Sequence, residues 1–218
     1  MSAARAKGRD GLTGLDGYDA CVQAVRAAIA GLPEDGTVSA CLVDVDGFAA
    51  VNDRHGHAVG DAVLKAVAGH LVQGIGARGS VFRYAGDEFM AVLPGVEKEE
   101  AFLVLEGLRG AFDREHELEA EDGPLQVALT LSVGVAAAPE DGRAWQALAR
   151  KAGDAVHRAK VSGRNKVCLA REERMVTKTS HYTQGQLDRL AELAGKEGPG
   201  EAVLLREALD DLLRKYKL

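Results

Sequence analysis

The run Ser39-Ala-Cys-Leu-Val-Asp-Val45 restricts the fold of this 218-residue chain more than any other segment. It is short and almost wholly apolar, which suits a strand in the middle of a sheet covered by helices on both faces. Asp44 is its polar intruder. A carboxylate in such a strand costs several kcal/mol unless it is paired or meets a cation. The run therefore predicts both a layered core and a charged site at the strand's end.

The flanking sequence supplies the layers. A helix begins near Asp16, carries Tyr18, Val22, Val25 and Ile29 at helical spacing, and stops at Gly31-Leu32-Pro33. After a loop rich in His, Gly and Asp, residues 59–74 place Val63, Val67 and Leu71 on one helical face. Two strand-like runs, Val81-Phe-Arg-Tyr84 and Phe89-Met-Ala-Val-Leu93, are separated only by Ala85-Gly86-Asp87-Glu88, a hairpin with a glycine turn. Residues 97–115 read as a helix, 125–137 as a strand interrupted by Gly134, 143–162 as a helix, and Asn165–Ala170 as a closing strand. The order is that of an α/β domain in which the hairpin turn can face the end of the first strand.

An apolar fraction of 46% with 28% charged residues is that of a globular protein, and the few aromatics make its core aliphatic. No stretch approaches the roughly 20 apolar residues that span a bilayer, and the start lacks the apolar run of a signal peptide, so a cytoplasmic protein without membrane contact is expected. Cys21, Cys41 and Cys168 lack metal-ligand spacing and read as small hydrophobes. The net charge of −6 gives no general attraction for phosphate backbones, so any anionic ligand has to be held locally.

Chemistry is expected where Asp44-Val45-Asp46 meets Gly86-Asp87-Glu88, because acids at a strand end and a tight turn can converge on hard cations that take oxygen ligands. These residues also carry a resemblance. Asp44-Val-Asp46-Gly-Phe48, Asn52-Asp53-Arg-His-Gly56-His57-Ala-Val-Gly60-Asp61 and Arg83-Tyr-Ala85-Gly86-Asp87-Glu88-Phe89 are similar to the GGDEF family of diguanylate cyclases. So are Asp10-Gly-Leu-Thr13-Gly14-Leu15, Leu131-Ser-Val-Gly134-Val, and the stretch from Asp154 through Lys160 to Gly163-Arg164-Asn165. The likeness covers nearly all of residues 10–170.

It implies a mixed α/β (α+β) fold, a ferredoxin-like nucleotidyl-cyclase palm with a central, mainly antiparallel sheet. It further implies two divalent ions, magnesium or alternatively manganese, held by Asp44, Asp87, Glu88 and the Val45 carbonyl. Asp87 and Glu88 become the catalytic pair, with Asp87 the candidate for taking up the hydroxyl proton. Phe48, Asn52, His57, Asp61 and Gly86 line the nucleotide, with Asn52 and Asp61 reading the guanine edge, and Lys160 and Arg164 hold phosphates. The substrate is then GTP and the product cyclic di-GMP.

Several positions depart from the pattern. Ala85 stands where the signature has its first glycine, and a positive φ there would cost alanine about 1 kcal/mol. Ala49 replaces the lysine usual after the phenylalanine, and Asp16-Gly17 replaces Asn-Arg. Gly76-Ala-Arg-Gly79 lacks both charged ends of the Arg-x-x-Asp stretch at which many family members bind product. A second reading therefore stands beside the enzyme: a degenerate domain that senses GTP or cyclic di-GMP and conveys occupancy to a DNA-binding ribbon-helix-helix tail, the C-terminal segment.

Beyond Arg171-Glu-Glu-Arg174 the composition shifts. A polar, β-prone run Val176–Tyr182, a helix Gln184–Glu197, the break Gly198-Pro199-Gly200 and a helix Glu201–Tyr216 resemble a ribbon-helix-helix module, which folds only as an intertwined dimer and can bind DNA. Residues 174–218 are too few to fold alone, so the tail predicts a homodimer, with DNA a further candidate partner. Residues 171–218 carry nine bases and nine acids, which favours the dimer over the DNA contact. A plain helical hairpin is the other reading of this tail.

Overall fold

The computed structural model describes residues 8–120, 123–171, 180–197 and 200–216. The chain divides into two compact units, Met1–Glu172 and Glu173–Leu218. In the first, helix α1 (Tyr18–Ala30) precedes strand β1 (Val38–Val45), helices α2 (Phe48–His55) and α3 (His57–Ile75), and the hairpin strands β2 (Ser80–Ala85) and β3 (Glu88–Pro94). Helix α4 (Lys98–Phe112), strands β4 (Arg114–Ala120), β5 (Gly123–Leu129) and β6 (Leu131–Ala138), helix α5 (Trp145–Val161) and strand β7 (Lys166–Leu169) complete it.

The five-stranded sheet runs β2-β3-β1-β6-β7, with β1 central and only β6–β7 parallel. This is the mainly antiparallel mixed sheet expected from the sequence. Alternation along β1 sorts its side chains between two cores. Cys41, Val43 and Val45 pack with α3 and α4 residues such as Val67, Leu71 and Leu105, whereas Val38, Ala40 and Leu42 pack with α1 and α5 residues such as Val25, Leu148 and Ala152. Asp44 shares the parity of Leu42, so it faces the layer to which α5 belongs. Burial pushes the Cys21 and Cys41 thiols up to about 12, in keeping with inert core thiols.

Three departures from the sequence reading have physical causes. The loop after β1 contains α2, an eight-residue helix between Gly47 and Gly56 with no fully buried side chain, so it carries no apolar stripe. The run 125–137 is two strands, not one. They part at Thr130, where β5 turns away to pair with the unforeseen, highly charged β4 in a separate ribbon. Gly134 does not interrupt β6; a side chain there would overlap the Ala152 carbonyl oxygen, so glycine is what lets α5 lie close on the sheet.

In the second unit, α6 (Gln184–Glu197) and α7 (Glu201–Lys215) pack on each other. Residues 176–179 of the expected β-run lie outside the described residues, and 180–182 form no strand. Among the described residues no helix is long and apolar enough to cross a membrane.

Candidate active site

β1 delivers Asp44 to the end of the sheet with 4% of its surface exposed, opposite Glu88 on β3 and Ser132 on β6. The Val45 N–H reaches the Asp87 carbonyl at 3.4 Å, which ties the strand end to the hairpin turn. Asp44, Val45, Asp87 and Glu88 are thus gathered where strand and turn meet.

Ala85 carries no penalty of the kind its place in the signature suggested. It ends β2, paired with Glu88, and positive φ falls instead on Gly86, at 45°. A two-residue hairpin loop with glycine first needs left-handed geometry at that glycine and accepts an ordinary residue before it. Arg83, to which the sequence reading gave no role, braces this turn. It is 7% exposed, donates through Nη2 to the Gly86 carbonyl, stacks its guanidinium 5.0 Å from the Phe89 ring centroid, and faces Asp10 at 3.8 Å. A lone arginine in an apolar strand is the same signal as Asp44 in β1, and it could have been read that way.

Burial pushes the Asp44 carboxyl up to about 6, opposed by Lys160 and assisted by the charges of Asp87 and Asp46. Lys160, from the last turn of α5, places Nζ 2.6 Å from Asp44 Oδ2. Because the folded value exceeds the ordinary one, the stability linked to this carboxyl is fully present below the unfolded value and lost as pH rises through about 6. In chelator, thermal unfolding is expected to show a loss of about 2–3 kcal/mol from this group between roughly pH 4 and pH 7. Asp44→Asn should flatten that slope; an unchanged slope would assign it to other groups.

Asp44 Oδ1 is buried and without a hydrogen-bond partner, an orphaned acceptor of the kind a cation satisfies. Among the described residues, no three His, Cys, Asp or Glu side chains close a metal site by themselves. The orphaned oxygen is what a hard divalent cation with oxygen ligands would satisfy. The donor set is carboxylate and carbonyl oxygen throughout, as a hard ion prefers.

The second wall is built by α2 and α3. Phe48 opens α2 after Gly47, whose φ is 73°, and Asn52 lies one turn further on. Asn52 Oδ1 is also buried without a partner. A side chain at Gly60 would overlap that oxygen and crowd the Phe48 ring, so Gly60 keeps the space in which the Asn52 amide sits. Asp61 and His57 are exposed in the first turns of α3, and the Asp61 charge acts on the Arg83 guanidinium. Arg164 is exposed in the turn after α5.

A cavity of about 560 Å³ lined by Arg9, Asp16, Val72, Gly76, Gly79 and Phe82, among others, shares no residue with this acid site. At Gly79 a side chain would overlap the Val92 carbonyl oxygen, so the strand start has no room for the aspartate of an Arg-x-x-Asp stretch.

Comparison with known proteins agrees with this geometry. A family model described as "Diguanylate cyclase, GGDEF domain" matches residues 7–166. The chain is 34% identical over 149 residues to the response regulator PleD of Caulobacter vibrioides, covering 65% of this chain and 30% of PleD. It is 33% identical over 162 residues to the diguanylate cyclase DgcP of Pseudomonas aeruginosa, covering 74% of this chain and 24% of DgcP. The chain thus spans about 30% or less of the length of these relatives. Among solved structures, the GGDEF domain of DgcB from Caulobacter crescentus in complex with c-di-GMP superposes with a TM-score of 0.69 at 28% identity, over 76% of this chain and 97% of that one. The active GGEEF domain of a Vibrio cholerae diguanylate cyclase gives a TM-score of 0.64 at 29% identity, over 72% and 97%.

Proposed function

The chain belongs to the GGDEF family of diguanylate cyclase domains, and on that premise we propose that it condenses two GTP molecules into cyclic di-GMP with release of two pyrophosphates. The observation that carries this reading is the conjunction of Asp44, Asp87 and Glu88 at one strand end, with an orphaned Asp44 oxygen among them. A domain kept only for sensing would have little need of a buried acid with one oxygen left unpaired beside two more.

Asp44, Asp87, Glu88 and the Val45 carbonyl would hold magnesium, or manganese in its place. When bound, the metal supplies positive charge against the triphosphate and the leaving pyrophosphate. Asp87 accepts the proton of the 3′-hydroxyl as that oxygen attacks the α-phosphorus of the second GTP and the bond to the β-phosphate oxygen breaks. Lys160 and Arg164 hold phosphate oxygens. With Ala49 standing where the resemblance has a lysine, that task falls to these two. Phe48, His57 and Gly86 line the nucleotide.

Asn52 and Asp61 read guanine, the carboxylate accepting from its N–H donors. Asp61→Ser is expected to lower discrimination between GTP and ATP by about 10²-fold, because a hydroxyl no longer rejects the adenine edge. Competition of the two triphosphates for binding measures this directly, and an unchanged preference would remove Asp61 from the recognition site.

Ring closure needs one nucleotide from each of two sites, so the active species is a homodimer. The tail supports this: Leu205, Leu209 and Leu212 on α7 and Tyr216 just past its end are exposed and spaced four, three and four residues apart, the period of a coiled-coil seam. Feedback by the product through residues 76–79 is not expected, since Gly76 and Gly79 stand where the Arg-x-x-Asp stretch has its two charged ends.

A further inference from the structure

Asp46 lies one residue beyond the metal-side carbonyl of Val45, yet its carboxylate is fully engaged elsewhere. Oδ1 accepts the Ser132 hydroxyl at 2.8 Å; Oδ2 accepts the Thr130 hydroxyl at 2.8 Å and the backbone N–H of Asn165 at 3.0 Å. Its own N–H donates to the Thr130 carbonyl. An acid with three donors on its two oxygens is a poor ligand for a further cation, and its partners lie at the start of β6 and in the turn before β7.

The third of those partners leads to the phosphate side. Arg164 and Asn165 have φ of 61° and 49°, the only non-glycine residues with positive φ among the described residues. Asparagine tolerates this conformation and arginine does not favour it, so the pair has to be held from outside. Asn165 is held three ways. Its N–H is on Asp46, its Oδ1 accepts Arg109 Nη1 at 2.6 Å, and its Nδ2 donates to Asp113 Oδ2 at 2.7 Å. Arg109 is itself fixed by Glu106 at 2.6 Å on the preceding turn of α4. The network joins the end of β1, which carries Asp44, to the turn that carries Arg164, and leaves the Arg164 side chain free at the surface.

We propose that Asp46 and Asn165 are positioning residues that lock the Arg164 turn to the end of β1, and that this lock sets the affinity for the β- and γ-phosphates. The inference rests on the reading of GTP as substrate. Charge-assisted hydrogen bonds such as those on Asp46 and Asn165 are strong enough to hold a disfavoured backbone pair. The separation of the cation seat from the arginine is then fixed before substrate arrives, so binding does not have to order the turn.

The test compares two probes in magnesium by calorimetry. One is 3′-deoxy-GTP, which lacks the attacking hydroxyl; the other is GMP, which lacks the outer phosphates. Asn165→Gly keeps positive φ accessible while deleting both side-chain tethers, and is expected to weaken 3′-deoxy-GTP about tenfold while GMP binds within about twofold of the parent. Asp46→Ala should act in the same direction, with Asp46→Asn, which retains an acceptor oxygen, restoring most of the loss. In the Arg164→Ala background, Asn165→Gly should add almost nothing, because the lock then has no side chain to place. Equal weakening of both probes, or losses that add across the double variant, would overturn the lock and leave a merely structural network. Failure of the parent protein to bind 3′-deoxy-GTP would instead overturn the GTP reading on which the lock depends.

Discussion

Asp87→Asn is expected to cut cyclic dinucleotide formation by about a thousandfold or more while the thermal midpoint stays near that of the parent. The change removes one negative charge and almost no volume from the two-residue turn, so neither the hairpin register nor the Gly86 conformation has reason to move. What it removes is chemical: a proton acceptor for the 3′-hydroxyl and an anionic oxygen for the metal. The Asp87 carbonyl continues to accept the Val45 N–H, because that contact is backbone to backbone. A variant with normal turnover would take Asp87 out of the mechanism, and one that fails to fold would show that the turn needs the charge itself.

Deleting residues 174–218 is the second large effect. Every nucleotide-site residue lies before Arg171, so the truncated protein is expected to fold and bind GTP. Its rate per monomer should fall about in proportion to concentration on dilution, since two halves must then meet in solution. The full chain should hold its rate down to the dissociation constant of the tail dimer, with an advantage of about 10²-fold at micromolar protein. The exposed leucines of α7 are the physical reason to expect association. Equal activity of both forms at every concentration, or a monomeric full chain in sedimentation, would show that the tail does not bring the two sites together.

The parts of this architecture legible in the sequence are those in which local pattern and tertiary role coincide. The apolar run Ser39–Val45 read as a central strand and Ala85–Glu88 as a hairpin turn, and the structure makes the first β1 and closes the second with the two-residue loop Gly86-Asp87. Three other features were hidden for a common reason. α2 packs through half-buried residues, and β4 alternates Arg114, Glu115, His116 and Glu117, so neither carries the apolar period that marks an element. The Asp46–Asn165 contact links positions 119 residues apart, and no local spacing announces it. Ala85 shows the opposite failure, in which a family pattern suggested strain that the backbone does not contain: the turn needs one glycine in left-handed geometry, and Gly86 supplies it.

The most direct test of the central claim is to give the purified 218-residue chain GTP and magnesium and to identify products by mass, with Asp87→Asn alongside. Time-dependent appearance of cyclic di-GMP, with two pyrophosphates released per cyclic dinucleotide and no product from the variant, is the predicted result. Tight, metal-dependent GTP binding with no cyclic dinucleotide at any protein concentration would contradict it, and would identify the domain as a sensor that has kept the cyclase fold without its chemistry.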